Sequence, residues 1–173
     1  MFSRGRKLET EEELYDVALR ALMRRAHSVH EMKQKLARRT DNELLVRVVM
    51  ARLKENGQLD DERYARQFAR TRTESRKQGR FRIARDLRAR GVPDKHINAA
   101  VESASDDEQQ AALVRQRIER KLRSYRGEID ERKTASIYGS LLRAGFPSDL
   151  IRKELKRATR EEVPEADQDQ STD

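Results

Sequence analysis

Leu87-Arg88-Ala89-Arg90-Gly91-Val92-Pro93 and Leu141-Leu142-Arg143-Ala144-Gly145-Phe146-Pro147 are one pattern written twice, 54 residues apart. At that offset Ile83 falls on Ile137, Leu87 on Leu141, Gly91 on Gly145, Pro93 on Pro147, Ile97 on Ile151 and Val101 on Leu155. A fainter copy lies 51 residues upstream, where Met32, Leu36, Val46 and Met50 fall on Ile83, Leu87, Ile97 and Val101. Glycine after a helical run favours the left-handed residue that ends a helix, and proline two residues later suits the start of the next. Gly57, Gly79 and Gly127 also follow helical runs and are expected to end them in the same way.

Three acidic triplets mark the same period. Glu11-Glu12-Glu13, Asp60-Asp61-Glu62 and Asp106-Asp107-Glu108 start 49 and 46 residues apart. Acids at a helix start cap its amides and favour the positive end of its dipole, which accounts for them without a further role. Each period then holds a long acidic-started helix, a short one centred on Leu36, Leu87 or Leu141, and a third after the turn. Leu14, Val17, Ala18, Ala21 and Leu22 follow the spacing of one helix face, as do Leu45, Val48, Val49 and Leu53. Tyr64, Ala65 and Phe68 begin another stripe, and Ala111, Val114, Ile118, Leu122 and Tyr125 a fourth. Ser28 and Glu31 have capping-box spacing. No stretch alternates as a strand would.

The expected fold is all-α: three tandem three-helix repeats, helix-turn-helix-like units, in an elongated, curved array. The divisions are a basic disordered N-terminus over 1–10, repeats over 11–57, 58–105 and 106–160, and an acidic disordered tail over 161–173.

Composition explains why one large core is not expected. Charged residues make up 40% of the 173-residue chain, against roughly 25% in ordinary domains. Leu, Ile, Val and Phe together number only 35. Three small cores need less than one large one. There is no Cys, so disulfide scaffolds and thiolate sites are excluded. No run of about 18 apolar residues and no secretory h-region is present, so a cytoplasmic protein is expected, with no membrane partner.

The formal charge is +8, but it is unevenly placed. Residues 161–173 carry six acids and no base, which leaves 1–160 at +14. Arg70, Arg72, Arg76, Lys77, Arg80, Arg82, Arg85, Arg88 and Arg90 form one cluster, facing Glu74 and Asp86 alone. Arg115, Arg117, Arg120, Lys121, Arg123 and Arg126 form a second around Glu119. The arginine fork grips phosphate or carboxylate in a bidentate way. The plain alternative is a solvated face with intrahelical pairs. If about six of these neutralised phosphates, log affinity would fall with log salt at a slope near −5. Phe81 is expected beside Ile83 in the second core, with base stacking the alternative.

Enzyme constellations do not occur. There is no phosphate-cradling Gly-rich loop and no nucleophile with a base and an orienter. His27 and His30 read as a helix-boundary pair rather than metal ligands. No cofactor, metal or catalytic residue is expected.

Three segments together resemble the bacterial RecX family. Arg24-Arg25-Ala26-His27-Ser28 with Glu31-Met32 and Lys35-Leu36 is similar to its first-unit signature. Gly57-Gln58-Leu59-Asp60-Asp61-Glu62-Arg63-Tyr64-Ala65 is similar to Gly-Tyr-Leu-Asp-Asp-x-Arg-Phe-Ala. Arg82-Ile83-Ala84-Arg85-Asp86-Leu87 with Gly91-Val92 is similar to a third block. Gln58, Met32 and Asp86 depart mildly from the usual Tyr, Leu and Glu. The resemblance covers roughly 11–158, with the third repeat joined to it mainly by internal repetition. It implies a non-enzymatic regulator of the recombinase RecA, acting as a monomer in DNA repair, homologous recombination and the SOS response. It further implies docking on the RecA–single-stranded DNA filament, limiting strand exchange and ATP hydrolysis. The competing reading is a helix-turn-helix-type protein that binds DNA directly, without RecA.

Overall fold

The computed structural model describes residues 7–125 and 129–161, with the side chains of 160 and 161 undescribed. The N-terminal stretch up to residue 6, Arg126, the turn at Gly127 and the acidic tail from 162 lie outside the described residues. Among the described residues there are nine α-helices and no strand: α1 Glu11–Arg24, α2 Val29–Ala37, α3 Glu43–Glu55, α4 Asp61–Glu74, α5 Arg80–Arg88, α6 Asp94–Ala104, α7 Asp107–Ser124, α8 Glu131–Arg143 and α9 Ser148–Glu161. They fall into three triplets of the expected order.

Caps explain where the helices begin. Thr10, Ser28, Asn42, Asp60, Asp106 and Asp130 each accept a backbone amide of the turn they open. Asp60 Oδ1 takes two, from Glu62 at 2.9 Å and Arg63 at 3.0 Å. Those amides, led by that of Arg63, hold its carboxyl below the usual range. The ends are equally regular. After α3, α5 and α8 the carbonyls of Leu53, Leu87 and Leu141 accept the amides of Gln58, Val92 and Phe146 at 2.8, 3.2 and 3.2 Å. The glycine before each acceptor's partner has φ of 64, 71 and 91° at Gly57, Gly91 and Gly145. This is the six-to-one closure with a left-handed C′ residue. Gly79 does not share it; Lys77 takes positive φ, 50°, at that break.

Three cores form. Leu14, Ala18, Met32, Leu36, Val49 and Leu53 anchor the first. Tyr64, Ala65, Ala69, Ile83, Leu87, Ile97 and Ala100 make the second. Val114, Ile118, Ile137, Leu141, Phe146, Ile151 and Leu155 make the third. The repeat offsets are borne out in burial: Met32, Ile83 and Ile137 are 0, 1 and 1% exposed. Each fully buried aliphatic of this kind is worth about 2 kcal/mol.

Two stripes differ from expectation. In α3 the buried face is Val46, Val49, Met50 and Leu53, while Val48 is 41% exposed. Leu44 to Met50 is apolar at all but Arg47, so local spacing could not fix the phase there. In α7 the stripe runs Gln110, Val114, Ile118, with Ala111 only half-buried. Residues 7–10 are also attached: the Leu8 amide donates to the Arg39 carbonyl at 2.8 Å and Lys7 pairs with Asp41 at 2.8 Å.

The triplets are grouped into two compact units. One comprises residues up to 76 with 83–104; the other comprises 77–82 with the chain from 105. In the second unit, 77–82 lies against the α8–α9 turn. The Gly79 amide donates to the Ala144 carbonyl at 2.8 Å, and Phe81 to Gly145 at 3.0 Å. A Cβ on Gly79 would strike the Gly145 carbonyl, and one on Gly145 the Arg82 backbone. Only glycine at both positions allows this approach, and Gly145 also needs its positive φ. Gly145→Ala is expected to cost about 2–4 kcal/mol by urea denaturation, combining clash and strained φ. Gly139→Ala, inside α8 and facing only the end of Arg143, is expected to be neutral or stabilising by up to about 1 kcal/mol.

Candidate functional site

The segments that carry the family resemblance meet inside the first unit. Ser28 and Glu31 form a capping box: Ser28 Oγ accepts the Glu31 amide at 3.1 Å, and Glu31 Oε2 accepts the Ser28 amide at 3.2 Å. Arg25 forks onto the same carboxylate at 3.1 and 3.3 Å. The Ser28 hydroxyl donates to the Arg90 carbonyl at 2.6 Å. Asp61 Oδ1 accepts the Val29 amide at 2.9 Å, so α2 is capped by a side chain of α4. The Tyr64 hydroxyl reaches Glu31 at 3.5 Å, and Arg63 donates to the Gly57 carbonyl. Leu59 and Ala65 are buried in the first and second cores. Leu59, Asp60, Asp61, Arg63, Tyr64 and Ala65 therefore join two triplets. Asp61 does more than favour its own helix start, the whole role expected for it.

Charge follows from this geometry. Burial pushes the Glu31 carboxyl up, but Arg25 and the Ser28 amide together bring it below its ordinary 4.5. Burial pushes the Tyr64 phenol up, and Glu31 adds to that. His27, buried at 8% exposure, is pushed below 6.5 by desolvation and then by Arg25. A hollow of about 290 Å³ opens beside this joint, lined partly by Arg25, Phe68, Arg72, Arg76 and Arg90. The guanidinium carbons of Arg72 and Arg90 lie 4.7 and 5.0 Å from the Phe68 ring centroid. Arg90 also favours the charged form of Glu31. Glu31 thus serves as counter-ion to Arg25 and Arg90.

The other candidate bases divide by partner. Arg70 pairs with Glu74 at 3.0 Å and Arg123 with Glu119 at 3.5 Å, both exposed, and Arg85 with the half-buried Asp86 at 3.9 Å. Such pairs are worth about 0–1 kcal/mol. Arg80 pairs with Asp107 at 2.8 Å, and Arg115 with the buried Glu154 at 3.3 Å. Lys77, Arg82, Arg120 and Lys121 form no ion pair among the described residues.

All four belong to the second unit, and two of them, Arg82 and Arg120, lie near Arg117. Arg82 Nη1 donates to the Arg143 carbonyl at 3.2 Å. The Arg117 guanidinium lies 5.7 Å from the Phe146 ring centroid. Burial first, then Arg120 and Arg82, push the Arg117 pKa below its ordinary value. Arg117, Arg120, Lys121, Ser124 and Ser140 line a hollow of about 260 Å³ floored by Ile137 and Leu141. Phe81 is 59% exposed rather than packed with Ile83. Its backbone is held against the α8–α9 turn, whereas the second core begins at Ile83.

Gln110 and Glu154 are among the buried polar residues not singled out from sequence. Gln110, fully buried, donates to Ser105 Oγ at 2.6 Å and accepts the Arg80 amide at 3.3 Å. Glu154 is 4% exposed. Gln110 had a legible signal, since it sits four residues before Val114 on the stripe. Glu154 had none, because its partner Arg115 lies 39 residues away.

Comparison with known proteins matches the geometry. The family model described as the second three-helix domain of RecX matches residues 60–101, and that of the third matches 107–155. The chain belongs to the RecX family. It is 41% identical over 142 residues to Regulatory protein RecX of Halorhodospira halophila, covering 82% of this chain and 85% of that one. It is 32% identical over 143 residues to the protein of that name from Mycolicibacterium smegmatis, covering 81% and 76%. The crystal structure of RecX from Lactobacillus salivarius shares the fold, with TM-score 0.78 at 22% identity over 87% of this chain and 97% of that chain. RecX membership thus extends to the third repeat in its own right.

The joint has a pH signature. A carboxyl held below its ordinary value stabilises the fold above pH 4.5, and that stability is lost as pH falls through the lowered value. His27 acts in the same direction below pH 6.5, because the fold resists its proton. Glu31→Gln is expected to lower stability by about 1–2 kcal/mol at pH 7. The gap to the parent chain narrows below pH 4.5; urea midpoints across pH 7 to 3 test this, and a constant gap is the contrary result.

Proposed function

We propose that the chain regulates the recombinase RecA by binding its filament on single-stranded DNA and limiting strand exchange and ATP hydrolysis there. The observation that carries this reading is the likeness to proteins named Regulatory protein RecX, over 82% of this chain for the one from H. halophila. Charge supports it. Residues 1–160 carry +14, mostly as arginine, and such a surface is drawn to polyanions and acidic protein faces. The role needs no cofactor and no catalytic residue: binding energy alone slows a filament whose subunits must move to turn over. In this reading the divisions at 11–57, 58–105 and 106–160 are successive binding modules.

The test is RecA ATP hydrolysis on single-stranded DNA with substoichiometric chain. Inhibition is expected, with co-sedimentation of the chain with filaments. Undiminished hydrolysis together with no co-sedimentation overturns the proposal.

A further inference from the structure

Twice in this protein the chain that leaves a third helix turns back onto the short helix of the triplet it has just completed. After α3, Asp61 accepts the Val29 amide at 2.9 Å at the start of α2. After α6, Gln110 accepts the Arg80 amide at 3.3 Å, and Asp107 pairs with the Arg80 side chain at 2.8 Å, at the start of α5. Val29 and Arg80 are equivalent at the 51-residue offset, and both seats are filled by an acid-started segment. At the 54-residue offset Arg80 falls on Thr134 of α8, and there the seat is an open groove of about 560 Å³. Thr134, Ala135 and Tyr138 line its α8 side, and Leu155, Lys156 and Thr159 its α9 side. The amides of this turn need no later residue. Asp130 accepts the Lys133 amide on its carboxylate at 2.7 Å and the Thr134 amide on its carbonyl at 3.0 Å. What stays open is apolar side chain bordered by charge.

We infer that this groove is the docking site of the chain's own acidic segment, Glu162 to Asp169, which follows α9 outside the described residues. Charge argues for that occupant. The segment holds Glu162, Glu165, Asp167 and Asp169 and no base. Its neighbour α9 carries Arg152, Lys153, Lys156, Arg157 and Arg160 against Asp149, Glu154 and Glu161, and Glu154 is already held by Arg115 at 3.3 Å. Arg152 and Lys156 both line the groove and form no ion pair among the described residues; the Arg152 guanidinium reaches the Tyr138 hydroxyl at 3.5 Å. Asp130 and Glu131 line the α8 side, so the acids of the segment are drawn to the α9 side. Reach argues for it as well. Thr159 lines the groove, and two residues separate it from Glu162. So short a tether gives an effective concentration on the order of millimolar, an advantage over any free acidic partner. Val163 then supplies an apolar side chain for the floor of Ala135, Tyr138 and Leu155. The seated segment competes with outside acidic partners for the same bases.

The inference goes beyond the proposed function and is tested without RecA. Backbone amide NMR relaxation on the full chain gives order parameters for Val163, Glu165, Ala166 and Asp167. Values of about 0.8 are expected, close to rigid backbone, whereas values below about 0.6 mark a free segment and overturn the docking. Arg152→Glu with Lys156→Glu is expected to drop those values below about 0.6 while the amides of α8 and α9 keep theirs. A segment still ordered in that variant overturns the assignment to this groove. If that variant unfolds, Glu162→Gln with Glu165→Gln and Asp167→Asn, made in the segment itself, is read by the same criterion. Order unchanged on about tenfold dilution is expected of a tethered occupant. Order lost on dilution assigns the groove to the segment of a second copy and overturns the intramolecular seat.

Discussion

Asp61 accepts the backbone amide of Val29, so the first turn of α2 is completed only by a residue of α4. Much of the first unit depends on that kind of borrowing. A triplet of about 45 residues buries too little apolar surface to stand comfortably alone. It compensates by passing polar groups to its neighbour: Ser28 to the Arg90 carbonyl, Tyr64 to Glu31, Asp61 to Val29. The carboxylate of Glu31 is the centre, because Arg25, the Ser28 amide and Tyr64 all converge on it. In the second unit the same constraint is met by backbone. Gly79 and Gly145 have no side chains to separate them, and carbonyls of the α8–α9 turn accept amides of 77–82.

This division of labour bears on function. The residues by which the family is recognised are largely spent on building joints. The surface that remains for partners is arginine-rich, and arginines differ by whether the fold has already neutralised them. Arg25 pairs with the half-buried Glu31, Arg115 with the buried Glu154 and Arg80 with the exposed Asp107. Arg82, Arg120 and Lys121 form no ion pair among the described residues; Arg82 and Arg120 lower the Arg117 pKa, and Lys121 lines the same hollow as Arg117. A net charge of +8 says nothing of that difference.

Legibility in the sequence was high where the physics is local. Helix caps and closing turns depend on residues within six positions of one another, so Asp60, Asp106, Gly91 and Gly145 announced them. The repeat offset was informative because burial is set by position within a triplet. It placed Val46 and Met50 correctly even where the apolar run of α3 hid the phase. Gly79 and Phe81 were misread because both look ordinary locally. One is held by its approach to Gly145, and the other is anchored by its amide to that residue's carbonyl.

The sequence by itself determined three triplets of helices, many of their caps and closing turns, and most of their buried faces, because periodicity and capping are short-range. It also determined the excess of arginine. Only the tertiary structure decided which arginines meet a carboxylate of another helix, because those carboxylates lie far along the chain. Asp107 is 27 residues from Arg80, and Glu154 is 39 from Arg115. Only the fold, likewise, brought Arg82 and Arg120 close enough to Arg117 to lower its pKa.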